Sequence, residues 1–181
     1  MSLRTRALAL TVVAAVAGGI ALGATPASAS ISQGFVSGTG AVDNDWTDEG
    51  TLSSSSHAHS NATALVQEIL WAEGVKESNG TSFDWSDVDG KYGPNTTYAV
   101  KQLQKHYNSY HLSNPLVVDG KAGPKTLGVA DWFLVDNGNG TVTYLGYKHD
   151  VTFKRTGGKY YVKVNNTKGW KLASYNALNV V

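Results

Sequence analysis

The chain has 181 residues, 15 Lys and Arg against 14 Asp and Glu, and no cysteine. This balance excludes the clustered basic surface that nucleic-acid binding needs, and without disulfides the fold is held by packing alone. The length accommodates a processed leader and one domain with a real core, or one domain and a small appendage.

Arg4 and Arg6 open the sequence, a small and apolar run follows over 7–24, and Pro26 then precedes Ala27-Ser28-Ala29. A basic start, an apolar core and small residues at a small-x-small site predict a secretory signal peptide over 1–29, cut after Ala29. A transmembrane anchor fits less well, because the run is largely Ala and Gly and lacks a basic stop-transfer flank. Losing Arg4 and Arg6 leaves one fewer base than acid, a mature formal charge of −1. All the aromatics (5 Trp, 9 Tyr and 4 Phe) lie after the cut.

Residues 30–60 are dominated by Ser, Gly, Thr and Asp, with the run Ser53-Ser54-Ser55-Ser56 and with Phe35 and Trp46 as large apolar residues. Such composition predicts a flexible leader. Helical periodicity starts with Ala62, Leu65, Val66, Ile69 and Leu70 at i, i+3, i+4, i+7 and i+8. Ser60 or Asn61 is placed to cap this helix and Gly74 to end it. Gly93-Pro94 signals a second helix with Thr96, Ala99, Val100, Leu103 and Tyr107 as its buried stripe. Gly123-Pro124 signals a third, running through Thr126, Leu127, Ala130 and Phe133, with Gly128 weakening it by roughly 1 kcal/mol. After Val135 the period changes to alternation. Four short strands are predicted over 141–147, 151–155, 160–164 and 170–174, joined by hairpin-type turns. Val142, Tyr144, Val151, Phe153, Tyr160, Val162 and Val164 would share one face.

The most specific feature is an internal repeat. Asp89-Gly90-Lys91-Tyr92-Gly93-Pro94-Asn95-Thr96 recurs thirty residues later as Asp119-Gly120-Lys121-Ala122-Gly123-Pro124-Lys125-Thr126, identical at six of eight positions. In each copy the Asp is suited to bond loop amides, the first Gly to take φ > 0, and Gly-Pro to launch a helix whose first turn the Thr caps. Two helices started by like-shaped loops imply a rough pseudo-symmetry.

Four ordered elements carry a family resemblance: Leu65-Val66-Gln67 with Leu70, the first repeat, Ala99-Val100 with Leu103-Gln104, and the second repeat. Over about 61–134 the chain resembles the type 1 peptidoglycan-binding domain family, a three-helix module of secreted bacterial wall proteins. The resemblance implies a three-helix peptidoglycan-binding-like bundle at 61–134; with the alternation that follows it, the chain reads as α+β, the bundle followed by a small antiparallel β meander at 135–181. It also implies a secreted, extracellular or wall-associated protein whose partner is peptidoglycan, with no cofactor and no membrane attachment after cleavage. The loop at 76–88 is longer than the family's, as is the link at 105–118, and nothing in the family explains the strands.

Aromatic faces suit sugars, so Trp85, Tyr92 and Tyr98 around the first loop, with the Thr96 hydroxyl, are the candidate ligand-binding residues. Tyr147, Tyr161 and Trp170 of the strands come next. Catalytic readings are weaker. His57-x-His59 has the spacing of zinc-peptidase ligands, but the matching upstream His-x-x-x-Asp segment is missing and zinc hydrolysis needs a third ligand. His106 and His111 are poorly spaced for one helical face, and Asp84 with Asp87 lacks the surroundings of a glycosidase pair. The expectation is a non-catalytic wall binder. The alternatives are a small wall hydrolase with an unrecognised site, or a secreted protein-interaction module built on the same scaffold.

Overall fold

The computed structural model describes residues 31–181, so the predicted signal peptide and its predicted cleavage site lie outside the described residues. Helix α1 spans Asn61–Glu73, α2 Pro94–Asn108 and α3 Pro124–Ala130, the last running into a 3-10 turn at Asp131–Phe133. The strands follow as β1 Leu134–Asp136, β2 Thr141–Leu145, β3 Asp150–Thr156, β4 Lys159–Val162 and β5 Lys171–Leu172. They form one antiparallel sheet in sequence order, so the chain combines helices with a five-stranded meander.

The ends of α1 are where the sequence puts them. Ser60 Oγ accepts from Thr63 N at 3.0 Å, and Gly74 closes the helix in the left-handed region at φ 63°. All five stripe residues of α2 are buried. In the sheet, Val142, Tyr144, Val151, Phe153, Tyr160 and Val162 are buried, and the register pairs Val142 with Phe153 and Tyr144 with Val151. Strand β1 was not among the predicted strands. Its three residues are too few to show alternation, and only the pairing of Leu134–Asp136 with Tyr144, Thr143 and Val142 makes them a strand.

The expectation of a flexible leader over 30–60 is corrected. Trp46 is 0% exposed, meeting Phe153 and Tyr160 edge-on at 5.9 and 5.3 Å, and Val36 and Leu52 are also buried. The backbone joins the sheet, with Val36 N donating to Ala173 O at 2.8 Å and Tyr160 N donating to Val36 O at 3.0 Å. Leu52 and Ala122 exchange two backbone bonds, tying this segment to the second repeat. Asp45 is buried against Arg155, whose Nη2 donates to Asp45 Oδ1 at 2.9 Å, while the Tyr160 hydroxyl donates to Oδ2. Burial raises the Asp45 carboxyl above its ordinary range even so. A few anchoring side chains outweigh the polar composition around them, because the sheet supplies both an edge and a pocket.

One continuous core joins the leader, helices and sheet. The turn between β2 and β3 seals the end of α1: Lys148 N and His149 N both donate to Ala72 O, at 2.8 and 3.0 Å, satisfying a helix-end carbonyl. Gly146 permits this approach, since a Cβ there would lie 2.5 Å from Ala72 O. Among the described residues no helix is long and apolar enough to cross a membrane.

Candidate functional site

Each repeat is organised by a buried glutamine on the preceding helix. Gln67 on α1 donates through Nε2 to Asp89 Oδ1, Lys91 O and Thr96 Oγ1 at 3.0, 3.1 and 3.1 Å. Its Oε1 accepts from Asp89 N and Gly90 N at 3.1 and 2.7 Å. Gln104 on α2 repeats the pattern with Asp119 Oδ1, Lys121 O and Thr126 Oγ1 at 3.0, 3.0 and 3.2 Å, and accepts from Gly120 N at 2.9 Å. Within each loop the Asp does what the sequence suggests, accepting from Lys91 N and Lys121 N at 2.8 and 2.9 Å. Hydrogen bonds to Gln104 and Lys121 hold the Asp119 carboxyl below its ordinary range, against the desolvation that opposes them.

The threonines depart from expectation. Neither α2 nor α3 has a side-chain cap. The Thr96 and Thr126 hydroxyls instead donate back to Lys91 O and Lys121 O, at 3.3 and 3.4 Å, closing the loop onto its glutamine.

Gly90 and Gly120 both take positive φ, 73° and 76°. A Cβ at Gly120 would also lie 2.7 Å from Thr97 O, whereas one at Gly138 (φ 71°) would meet nothing within 4 Å. Gly120→Ala is therefore expected to cost about 2–4 kcal/mol and Gly138→Ala only about 1 kcal/mol, the strain of φ alone. Denaturant midpoints of the two variants check this, and equal losses would rule out the contact with Thr97.

A groove of about 360 Å³ opens beside the first loop, with Gln67, Glu77, Asp87, Asp89, Asn95 and Thr96 in its lining. A smaller one of about 220 Å³ opens beside the second loop, with Gln104, Asp119 and Thr126 in equivalent places. The pseudo-symmetry thus extends from the loops to the hollows they frame.

Residues 59–129 match the family model described as "Putative peptidoglycan binding domain". The helical region is similar to that family. The matched span takes in α1, both loops and α2, and ends within α3, before the sheet begins. No curated protein and no solved structure gives a significant match to the chain.

Within the matched span the four candidate side chains do not form one rim. Tyr92 is 3% exposed, and its hydroxyl donates to Gly120 O at 2.9 Å, so the first loop is pinned to the second through its ring. Trp85 packs edge-on to Trp71 at 4.8 Å, and its Nε1 donates to Val164 O at 3.2 Å, anchoring the chain after β4. Trp71 in turn stacks on His149 at 4.3 Å. Thr96 lines the first groove but is buried and bonded within the loop. Tyr98, 38% exposed, lines the neighbouring groove at the end of α1. The expectation of a ring face presented by Tyr92 is therefore corrected, since that ring is used inside the fold, while Trp85 stays half-buried.

Several of the groups considered for catalysis are likewise engaged. His57 takes φ 51°, its Nδ1 lies 3.1 Å from Tyr175 O, and its ring packs on Tyr175 at 4.9 Å. Asp84 and Asp87 bond each other's backbone in a capping box around the short turn at Trp85–Asp87. Among the described residues no three His, Cys, Asp or Glu stand together as a metal-holding group. Sequence reasoning missed two features. The glutamines were visible only as parts of a motif, and the titratable cluster at the end of α1 joins Glu73, His106 and Tyr144 across three elements.

Proposed function

We propose that the protein is exported and binds bacterial cell-wall peptidoglycan without cleaving it. The observation that carries this reading is the coincidence of the family match with the doubled glutamine-centred loop. The same span that resembles a wall-binding family contains two hollows, each framed by one copy of a repeated loop. Non-cleavage rests on the occupations of the side chains considered for catalysis: His57 is committed to Tyr175, and Asp84 and Asp87 to a helix cap.

Of the sequence's four candidates, Tyr98 retains the exposed ring that a sugar face needs. Tyr98→Ala is expected to weaken sedimentation with purified walls about tenfold, with an unchanged melting temperature. Trp85→Ala is expected to lower stability first, because it empties the contact with Trp71 and frees Val164 O. Wall suspensions mixed with the protein should keep their turbidity while the protein leaves the supernatant. Clearing of the suspension would contradict non-cleavage, and normal sedimentation of Tyr98→Ala would remove that residue from the site.

A further inference from the structure

The groove that Tyr98 lines measures about 500 Å³ and lies between the end of α1, α2 and the β2–β3 turn, with Glu73, Glu77, His106, Tyr147 and Lys148 also in its lining. Its walls are fixed by the paired bonds from Lys148 N and His149 N to Ala72 O and by the stack of Trp71 on His149. Two rings face outward here, since Tyr147 is 73% exposed and sits 5.7 Å from the His106 ring. Two carboxyls form the floor. Glu73 accepts from the Tyr144 hydroxyl, and its Oε2 lies 3.4 Å from His106 Nε2. Glu77 is 6% exposed; its Oε2 accepts from the Thr81 hydroxyl at 3.1 Å, while Oε1 has no hydrogen-bond partner among the described residues. A buried acceptor without a partner is costly unless a ligand supplies the donor.

Glu77 also lines the groove beside the first loop, so the two hollows meet at this side chain. We propose that they form one elongated carbohydrate site, with Tyr98 and Tyr147 as stacking faces and Glu77 as hydroxyl and amide acceptor, and that the glycan strand of the wall is the ligand. The assignment rests on the wall-binding reading and narrows it. Sugar rings offer C–H faces to the two tyrosines, and their hydroxyl and acetamide groups donate to carboxylates. Lys76 and Lys148, both exposed, share the lining with these carboxyls. The β2–β3 turn lies outside the family match, so this subsite is an addition of this chain to the family domain.

The probe is a β-1,4-linked N-acetylglucosamine tetramer, titrated against the full mature chain by amide chemical shifts and run in parallel with wall sedimentation. Tyr147→Ala and Glu77→Gln each should weaken tetramer and wall binding about tenfold or more. Trp132→Ala, which removes an exposed ring lining neither of the two hollows, should leave both unchanged. Walls bound equally by all variants would overturn the glycan site and leave the wall-binding reading standing. No sedimentation of the parent chain, with the tetramer still shifting the amides around Tyr98 and Tyr147, would sink the wall reading and sustain the carbohydrate site. Shifts produced by a free stem peptide and not by the tetramer would overturn the assignment.

Discussion

Gln67→Leu is expected to destabilise the protein by about 3–5 kcal/mol although it keeps the volume of the side chain and adds apolar surface. The leucine removes the acceptor of Asp89 N and Gly90 N and the donor of Asp89 Oδ1, Lys91 O and Thr96 Oγ1. Gly90 N and the Thr96 hydroxyl are buried, so they lose protein partners without gaining water. Each orphaned buried group costs about 1–3 kcal/mol. For a chain of this size the corresponding fall in melting temperature is on the order of 10 °C. Gln104→Leu should lose somewhat less, because one loop amide rather than two donates to Gln104. Urea midpoints of the two variants provide the comparison. A loss below about 1 kcal/mol for Gln67→Leu would show that the first loop holds its shape unaided.

The second large effect is on pH. Glu68 lies on the buried side of α1, 1% exposed, and burial pushes its carboxyl up to about 8; a backbone hydrogen bond involving Lys163 opposes the shift. In the unfolded chain the same group titrates near 4.5. Between those values the folded state holds a proton that the unfolded state has released. The stabilisation is therefore complete below pH 4.5 and is lost as pH rises through 8. The slope is about 1.4 kcal/mol per pH unit, up to about 5 kcal/mol in all. Glu49 and Asp131, both pushed up to about 7 chiefly by burial, act in the same direction. The protein should accordingly be more stable at pH 5 than at pH 8.5. Glu68→Gln should flatten the decline and be the more stable form at pH 8.5. Stability that rises from pH 5 to 8, or a slope that Glu68→Gln leaves intact, would contradict this account.

How much of this was legible in the sequence depended on the range of the interactions. The limits of α1, the stripe of α2, the Asp-Gly turns of the doubled loop and most of the inward face of the sheet are written in local spacing, and they appear as read, while the loop threonines and Val164 do not. The leader was misread because composition averages over Ser and Gly, whereas its fate is set by Trp46 meeting Phe153 and Tyr160 more than a hundred residues away. Tyr92 and Trp85 were read as rim residues because aromatic side chains look alike until their partners are known. The Gly120 carbonyl claims one and Trp71 with Val164 claims the other. Glu77 gave no signal at all, since an isolated acid in a polar loop becomes informative only when it is seen buried with one oxygen unpartnered.

The central claim, that this chain binds the bacterial wall, is tested most directly by a sedimentation isotherm of residues 30–181 on purified peptidoglycan freed of attached polymers. Saturable removal of the protein from the supernatant is expected, with bound protein proportional to wall mass and the suspension intact. Protein that stays in the supernatant at every wall concentration, while remaining folded, would contradict it.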